Sequence, residues 1–402
     1  MRMTNPWPTT KLGDVIDLFD SQRIPLNSRQ RQERQGKFPY YGAQGIIDYI
    51  DDYIFDGRYI LVAEDGENLN SKKLPLALFA TGKFWVNNHA HILRGKANIA
   101  DDTYLLACLN NADIKPFVTG AAQPKLSQGN LRLIEIPLPP LPIQQRIAGI
   151  LSAYDELIEN SQRRIKLLEA MARALYREWF VHFRFPGHEN HPRVPSPLGE
   201  IPQGWEVKAV AEAFTISGGG TPSRKESAYW EGGTIQWYSP SDLTGAGTMF
   251  MDDSSDHITE RGLEQSSARM FPPRSVMLTS RATIGAIAIN THPACTNQGF
   301  ITCLPNKHVP LYFLFHWLTE NVPTFQLMAS GATFKEISRG VFKTIDFLQP
   351  PIELVEQFEA HATPLAEQIL SLQRQVNNLR RTRDLLLPRL LSGQIDVKTI
   401  PY

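Results

Sequence analysis

The ten residues GAAQPKLSQG at positions 120–129 are matched by GATFKEISRG at positions 331–340. The first and last glycines of the two stretches are separated by the same offset of 211 residues, from 120 to 331 and from 129 to 340. The same offset aligns further residues: Ile134 with Ile345, Pro139-Pro140 with Pro350-Pro351, and Gln162 with Gln373. Such self-similarity at a fixed period indicates an internal duplication.

The match extends towards the start of each half at a smaller offset. Trp7 corresponds to Trp205 at an offset of 198, and GKFPYYG at 36–42 corresponds to GTIQWYS at 233–239 at an offset of 197. The second copy therefore carries extra residues in its middle. In each copy a short apolar run, Tyr59–Ala63 or Ser275–Thr279, predicts a short buried strand.

A long helix is predicted at the end of each copy, after the proline-rich stops at 136–142 and 349–351. Apolar residues at alternating steps of three and four form a heptad pattern, which only Arg383 interrupts in the second copy. The first stripe contains Ile147, Ile150, Tyr154, Leu157, Ile165, Leu168, Met171, Leu175 and Trp179. The second contains Val355, Phe358, Ala362, Leu365, Ile369, Leu372, Val376, Leu379, Leu386 and Leu390. We expect the two helices, the first about 55 Å long, to pair with each other; Pro364 and Pro388 are expected to start or kink helical segments.

Composition excludes several classes of protein. The 41 basic residues balance the 41 acidic ones, so net charge alone does not attract nucleic acid. An apolar fraction of 42% excludes a largely disordered chain. Three scattered cysteines, no apolar leader at the N-terminus and no apolar run long enough for a bilayer predict a soluble cytoplasmic protein.

Catalytic and metal-binding motifs are weak. The sequence has neither a phosphate-binding loop nor the Asn-Pro-Pro-Tyr or Asp-Pro-Pro-Tyr string of amino-methyltransferases. Short acid–lysine triplets, at 113–115, 206–208 and 396–398, lack a second carboxylate that would hold a nuclease metal. His292, Cys295, Cys303 and His308 do not have the spacing of paired zinc ligands, which favours buried small side chains. We predict no catalytic residue and no metal site.

The loops are richer in candidate functional residues. Segments 38–45, 221–225, 278–283 and 296–299 contain Arg, Asn, Gln, Ser and Thr. Arg pairs with guanine and Asn or Gln with adenine, and hydroxyl side chains bind phosphates. Any one of these loops is an ordinary surface turn, but their recurrence in both copies favours DNA recognition.

The whole chain resembles the specificity subunits of type I restriction-modification systems. The segments that carry this resemblance are 38–43, 54–57, 61–66, 82–90, 138–147, 219–223, 279–285 and 297–300. The resemblance implies an α+β fold, with two similar mixed α/β target-recognition domains joined by two long antiparallel coiled-coil helices. We place the first domain at 1–140, its helix at 141–184, a linker at 185–204, the second domain at 205–351, and the second helix with a tail at 352–402.

The resemblance also implies a function. Each domain would read one half of a bipartite, asymmetric site in double-stranded DNA, and the helices would dock two methyltransferase subunits and then restriction/translocase subunits. The chain itself would be non-catalytic, and S-adenosylmethionine, ATP and Mg²⁺ would bind the partner subunits. The remaining alternatives are a coiled-coil scaffold without DNA specificity and a nuclease or methyltransferase that acts alone.

DNA contacts are predicted in both domains. The candidates are Tyr41, Gln44, Asn88, His89 and Lys125 in the first domain, and Ser223, Arg224, Ser280, Arg281, Asn297, Gln298 and Lys335 in the second. These loops vary with specificity within the family, so the resemblance identifies the loops rather than the individual contacts.

Overall fold

The computed structural model describes residues 7–120, 122–331 and 335–397. Residues 1–6, 121, 332–334 and 398–402 lie outside this description; they include parts of the repeated stretches, of the predicted first domain and of the C-terminal tail, with Lys398 of one acid–lysine triplet. The chain divides into two compact units. Unit 1 combines residues 1–159 with 378–402, and unit 2 contains residues 160–377. The division falls inside both long helices, and the predicted domain boundaries remain predictions.

Unit 1 is built on a mixed sheet. Its strands are β1 (Thr9–Lys11), β2 (Ile16–Leu18), β3 (Gln35–Gly42), β4 (Gly45–Ile50), β5 (Phe55–Ala63), β6 (Ala77–Val86), β7 (Ala90–Gly95) and β8 (Glu135–Pro137). Its short helices are α1 (Leu12–Val15), α2 (Ser28–Glu33), α3 (Asn68–Ser71), α4 (Asp102–Asn111) and α5 (Gln128–Leu133). In the described part, six strands follow the order β2-β7-β5-β6-β3-β4, and β1 pairs with β8. Strand β3 runs parallel to β6, which brings the ends of these two strands together.

Both long helices contribute to the core of unit 1. Helix α6 (Leu141–Tyr176) begins in this unit, where Ile147 and Leu151 share a buried cluster with Leu390 and Leu391 of the second long helix. Arg383, the residue that interrupts the predicted heptad pattern, pairs with Asp155 of α6 at 2.6 Å. The polar interruption is thus matched by an acidic partner on the facing helix.

Unit 2 contains the second copy with a divided sheet. Its strands are β9 (Arg193–Ser196), β10 (Gly199–Pro202), β11 (Glu206–Ala209), β12 (Thr215–Gly218), β13 (Ile235–Tyr238), β14 (Phe250–Met251), β15 (Asp256–Ile258), β16 (Val276–Thr279), β17 (Ile287–Asn290), β18 (Ala294–Thr296), β19 (Phe300–Leu304) and β20 (Asp346–Gln349). Its helices are α7 (Val210–Ala213), α8 (Pro240–Ala246), α9 (Glu260–Glu264), α10 (Leu311–Met328), α11 (Arg339–Lys343) and most of α12 (Ile352–Leu391).

The strands of unit 2 pair in several small sheets. In the described part the orders are β12-β19-β16-β17-β14, β15-β13-β18, β11-β20 and β9-β10. The β9–β10 hairpin lies in the segment that the sequence predicts as a linker. The strand predicted at Tyr59–Ala63 is confirmed as part of β5, and the strand predicted at Ser275–Thr279 corresponds to β16, which begins one residue later at Val276.

The repeated stretches have the same local structure in both units. Gly120 and Gly331 have φ values of +86° and +131°, a backbone conformation that glycine adopts more easily than residues with a side chain. Ser127 and Ser338 each cap a short helix, since their hydroxyls accept hydrogen bonds from the backbone N–H three residues later, at 3.2 Å in both cases. The matching sequences therefore correspond, in both units, to a glycine at a positive φ followed by a short helix that a serine caps.

The predicted long helices are confirmed, and one detail of their packing differs. Helix α12 continues through Pro364 and Pro388 and buries most of its predicted stripe. On α6, however, Leu157 and Met171 are 51% and 57% exposed, and the neighbouring Ile158 and Ala172 are buried instead. An α-helix drifts by about 20° per heptad against a strict seven-residue repeat, so the buried face moves by one residue along a long helix.

In unit 2 the two long helices meet through aromatic residues. The ring of Phe358 on α12 lies 5.2 Å from Phe180 and 5.8 Å from Tyr176, and Trp179 lies 5.9 Å from His361. The last residue of α6 and the π-helical turn that follows it (Arg177–Val181) therefore contact residues near the start of α12, as expected for antiparallel helices. Among the described residues, no helix combines the length and the apolar character needed to cross a membrane.

Candidate nucleic-acid interface

In unit 1, loops from separate strands are joined by main-chain hydrogen bonds. The carbonyl of Tyr41, near the end of β3, accepts a bond from the N–H of Asn87 at 3.0 Å. After β5, the N–H of Glu64 donates to the carbonyl of His89 at 2.9 Å, and the carbonyl of Glu64 accepts from the N–H of Leu126 at 2.7 Å. Backbone groups thus hold three loops together at one edge of the unit.

Unit 2 repeats this bonding pattern. The carbonyl of Tyr238, at the end of β13, accepts from the N–H of Asn297 at 3.0 Å. After β16, the N–H of Ser280 donates to the carbonyl of Gly299 at 2.8 Å, and the carbonyl of Ser280 accepts from the N–H of Ile337 at 3.0 Å. We call the two sets of bonds the loop framework of each unit.

An asparagine folds the central loop of each framework. The Oδ1 of Asn87 accepts a bond from the N–H of His89 at 2.8 Å, and the Oδ1 of Asn297 accepts from the N–H of Gly299 at the same distance. Such turns, in which a side chain bonds to the backbone two residues on, are a known preference of asparagine. Asn297, predicted to contact DNA, therefore shapes its loop with one end of its amide.

The frameworks match residue by residue, but the side chains on them differ. Isolated bridges join Asp65 to Lys125 in unit 1 and Arg281 to Glu336 in unit 2. Together with the bonds above, these bridges define equivalent positions: Asp65 and Arg281, Asn88 and Gln298, His89 and Gly299, and Lys125 and Glu336. At the bridged positions the charges are reversed between the units, so one scaffold presents two different chemical surfaces.

In unit 1 the structure brings several predicted residues together. The Nδ1 of His89 lies 2.7 Å from Oδ2 of Asp65, and the Nζ of Lys125 lies 3.2 Å from Oε1 of Glu64. Asn88 is exposed between β6 and β7. The side chains of His89 and Lys125 are about half exposed, at 47% and 54%, so both combine a fixed position with access to a ligand.

Tyr41 and Gln44 have other surroundings. The ring of Tyr41 packs edge-on against Phe84 at 5.6 Å, and burial, followed by the nearby Tyr49, raises the pKa of its hydroxyl. Gln44 is exposed in the turn between β3 and β4, and among the described residues no side-chain bond joins it to the framework. Tyr41 is thus placed at the framework by its backbone, whereas Gln44 lies on a separate turn.

A buried ionic network supports the framework of unit 1. His91, which is 1% exposed, bonds through Nδ1 to Asp20 at 2.6 Å and through Nε2 to the carbonyl of Leu126 at 2.8 Å. Arg23 lies 2.7 Å from Glu64 and 3.6 Å from Asp20. Burial raises the pKa of both carboxyls, but the hydrogen bonds and positive charges of Arg23 and His91 outweigh it, and both pKa values are lowered.

This network includes ligand types that could hold a metal ion, namely Asp20, Glu64 and His91. The carboxylates already have cationic or hydrogen-bonding partners: Arg23 pairs with both, His91 bonds to Asp20, and Lys125 pairs with Glu64. Asp20 holds the ring of His91, and the Nε2 of His91 holds the loop that contains Leu126 through the Leu126 carbonyl. We therefore interpret the group as an ion-pair network that stabilises the loops rather than as a metal centre.

In unit 2, Arg281, Asn297 and Gln298 line one shallow cavity of about 240 Å³. The guanidinium of Arg281 is half exposed and lies 3.7 Å from the carboxylate of Glu336, which is a long ion pair. Lys335 is exposed, and its carbonyl accepts a bond from Ala282 at 3.0 Å. Ser280, in contrast, is 2% exposed and serves the framework through its backbone.

The loop that contains Ser223 and Arg224 is held by aromatic residues. The guanidinium of Arg224 stacks 3.6 Å from the ring of Trp230 and pairs with Asp256 at 2.5 Å, and the Ser223 carbonyl accepts a bond from the Trp230 indole. A bond of 2.7 Å from Thr221 to Gln298 connects this loop to the cavity. Arg224 is therefore engaged within the protein more fully than Arg281 is.

The cysteines of unit 2 are buried, and their pKa values are raised by burial, to about 12 for Cys295. Both thiols are therefore protonated at neutral pH and act as small core side chains. Sequence reasoning missed Asp65, Asn87 and Glu336. The offset of 211 residues pairs Lys125 with Glu336, so the repeat itself contained the signal for the last of these.

Comparisons with known proteins agree with this architecture. The family model for the type I restriction modification DNA specificity domain matches residues 4–170 and again 202–361. The type I restriction enzyme MjaIX specificity subunit of Methanocaldococcus jannaschii is 28% identical over 294 residues, which are 71% of this chain and 66% of that subunit. The type I restriction enzyme HindI specificity subunit of Haemophilus influenzae is 22% identical over 97% of this chain and 95% of its own length.

A solved structure shares the fold. The crystal structure of a type I restriction-modification system S subunit from M. genitalium aligns with a TM-score of 0.65 at 16% identity, and the alignment covers 97% of this chain and 98% of that one. The family model covers most of the chain in two copies. The chain therefore belongs to the type I restriction-modification DNA specificity family.

Proposed function

We propose that this chain selects the DNA sequence for a type I restriction-modification complex, and that each unit reads one half of a bipartite, asymmetric site in double-stranded DNA. The observation that carries the proposal is the loop framework, which has the same main-chain bonds in both units. Equivalent positions on it carry different side chains, Asp65 against Arg281 and His89 against Gly299. Since base identity is read by side chains, the two units would read different base sequences.

The proposed complex includes two methyltransferase subunits and restriction/translocase subunits. Each unit has exposed apolar residues on its long helices. In unit 1 these are Leu157 and Leu385, 51% and 63% exposed; in unit 2 they are Leu167 and Met171, 60% and 57% exposed and one helical turn apart. Exposed apolar residues on the long helices of both units suit the docking of one methyltransferase subunit per unit. With a net charge of zero, the chain would rely on these partners for part of the phosphate affinity.

In this proposal the chain is not itself an enzyme. S-adenosylmethionine, ATP and Mg²⁺ would bind the partner subunits, and this chain would supply specificity and docking surfaces. Its relatives carry the name of specificity subunits. The scaffold and the stand-alone nuclease or methyltransferase remain outcomes of the tests below.

The first experiment is methylome sequencing of cells that carry this chain with and without its neighbouring methyltransferase. We expect a new bipartite adenine-methylated motif only when both are present. A motif with this chain alone would establish a stand-alone methyltransferase. If the complex assembles and binds DNA without sequence preference, the scaffold alternative replaces the proposal.

Docking is tested by co-purification with the methyltransferase. The double variant Leu167→Glu/Met171→Glu should lose one of two bound methyltransferase subunits, because it places charges on the exposed apolar surface of α6. Leu198→Glu is the matched control, since Leu198 is 47% exposed in the β9–β10 turn. Equal binding by the double variant and the control would contradict the proposed docking surface.

A further inference from the structure

His89 and Asp65 form a hydrogen-bonded pair on the loop framework of unit 1. The Nδ1 of His89 lies 2.7 Å from a carboxylate oxygen of Asp65. The backbone of His89 is held on both sides, by the Asn87 side chain at its N–H and by the Glu64 N–H at its carbonyl. The imidazole is 47% exposed and the carboxylate only 19%. The ring is therefore fixed at one nitrogen and accessible to a ligand.

This contact determines which of the two ring nitrogens carries the hydrogen of the neutral imidazole. A carboxylate accepts hydrogen bonds but donates none when ionised, so Nδ1 must carry the hydrogen that points at Asp65. The other nitrogen, Nε2, is then an acceptor. The charged groups around this pair are Glu64, Arg23 and Lys125; Arg23 and Lys125 are both bonded to Glu64, at 2.7 and 3.2 Å. Asp65 is thus left as the carboxylate that faces His89.

The equivalent place in unit 2 has the opposite chemistry. Gly299 stands where unit 1 has His89, and Arg281 stands where unit 1 has Asp65. Gly299 has no side chain in this place, and Arg281 and Gly299 line a shared cavity of about 240 Å³. A guanidinium offers only donors. Unit 1 therefore presents an acceptor at the place where unit 2 presents donors.

We infer that Asp65 is a positioning residue that fixes the tautomer of His89, and that Nε2 of His89 accepts a hydrogen bond from the exocyclic amino group of adenine or cytosine in the first half-site. In the major groove, adenine N6 and cytosine N4 are the amino donors, whereas guanine and thymine present acceptors at those positions. This inference rests on the proposed function, since it specifies which base chemistry one of the two recognition units selects.

The test uses the full chain with its methyltransferase partner and the duplex motif from methylome sequencing. His89→Ala should relax one base position in the first half-site and leave the second half-site unchanged. At that position, replacing the adenine or cytosine by an analogue without its amino group should lower the affinity of the wild-type complex on the order of tenfold, the effect of one well-placed hydrogen bond. The same analogue should have no further effect on the His89→Ala complex.

The role of Asp65 is tested by variants that change the tautomer of His89 and keep its imidazole ring. In Asp65→Asn the amide can offer either its oxygen or its NH₂ group to Nδ1, so both tautomers become accessible. We expect guanine or thymine to gain acceptance at the position that His89 reads, and Asp65→Glu to restore the original preference. Nitrogen-15 NMR of labelled histidine, with His89 assigned by its loss in His89→Ala, should show the Nδ1–H tautomer in the wild type and a mixture in Asp65→Asn.

Arg281→Ala is the matched control, because it should alter the second half-site only. If, in the base pair that His89→Ala relaxes, loss of the amino group leaves the affinity of the wild-type complex unchanged and loss of the keto acceptor of guanine or thymine lowers it, the tautomer assignment is wrong. If His89→Ala weakens binding equally on all sequences, His89 contacts a phosphate and the inference fails. A wild-type motif that His89→Ala leaves intact also refutes this inference alone, whereas absence of any motif with an assembled complex refutes the proposed function with it.

Discussion

Replacing Arg281 by alanine should relax sequence selection at one position of the second half-site without unfolding unit 2. The side chain is 49% exposed, and among the described residues it pairs with Glu336 at 3.7 Å, whose side chain is itself 42% exposed. An exposed pair of this length contributes about 0.5 kcal/mol or less to the free energy of unfolding. A guanidinium that reads a guanine edge contributes about 1–3 kcal/mol of discrimination, which corresponds to about 5- to 150-fold in affinity. The effect on binding should therefore exceed the effect on stability.

The assay measures the affinity of the complex with its methyltransferase for the methylome motif and for duplexes with one base pair changed. Arg281→Ala should flatten the profile at one position of the second half-site. Glu336→Gln is the informative control, since it breaks the same pair but keeps the guanidinium, and it should retain the profile. Arg281→Lys should keep phosphate affinity and lose discrimination, because lysine cannot make the bidentate bond. A uniform loss on all sequences, or a change confined to the first half-site, would refute the assignment.

Three further predictions concern stability. Asp20→Asn should destabilise unit 1 by about 3 kcal/mol at neutral pH, because it removes the carboxylate that is bonded to the buried His91. Since the pKa of Asp20 is lowered in the folded state, this difference in stability is lost as pH falls below about 3.8. Hydrogen exchange of peptides from residues 7–159 measures it. Phe358→Ala should lower the free energy of unfolding of unit 2 by about 3–5 kcal/mol, because Phe358 is fully buried against Tyr176 and Phe180. Denaturation followed by tryptophan fluorescence measures this, and a decrease under about 1 kcal/mol would contradict the packing. Burial raises the pKa of Glu359 from 4.5 to about 7, so unit 2 loses stability as pH rises through that interval. Glu359→Gln should therefore stabilise unit 2 at pH 8 by at most about 3 kcal/mol and have little effect near pH 4. An equal effect at both pH values would disprove the raised pKa.

The long helices could be predicted because their signal is local. Apolar residues at heptad spacing fix the buried face of α12 almost completely. The error on α6 has a geometric cause: a strict seven-residue count assigns Leu157 and Met171 to the buried face, whereas a helix of 36 residues drifts far enough to bury Ile158 and Ala172. The duplication was equally accessible, since glycine at a positive φ and a serine cap each leave a mark in the sequence.

The loop contacts could be predicted only in part. Base-reading residue types pointed to the segment around Arg281, and the family resemblance pointed to the segment around His89. Both segments lie on the loop frameworks, and their DNA contacts stay predictions. Their chemical state depends on contacts between residues distant in sequence, such as the stacking of Arg224 on Trp230 and the pairing of His89 with Asp65 across 24 positions. The burial of Ser280 has the same origin, because its place after a buried strand decides it. No single-residue pattern contains that information.

The backbone bonding of the loops also bears on how such a protein can be altered. Donors and acceptors of the main chain, present in almost every residue, form the bonds of the loop framework, and the residue types at positions 65, 89, 281 and 299 differ between equivalent places of the two frameworks. Under the proposed function, selectivity would depend on side chains and the loop architecture on the backbone. A change at these positions, whether by mutation or by exchange of one copy for another, would then be expected to create a new target while the scaffold stays intact. The same property makes these positions a natural starting set for laboratory libraries.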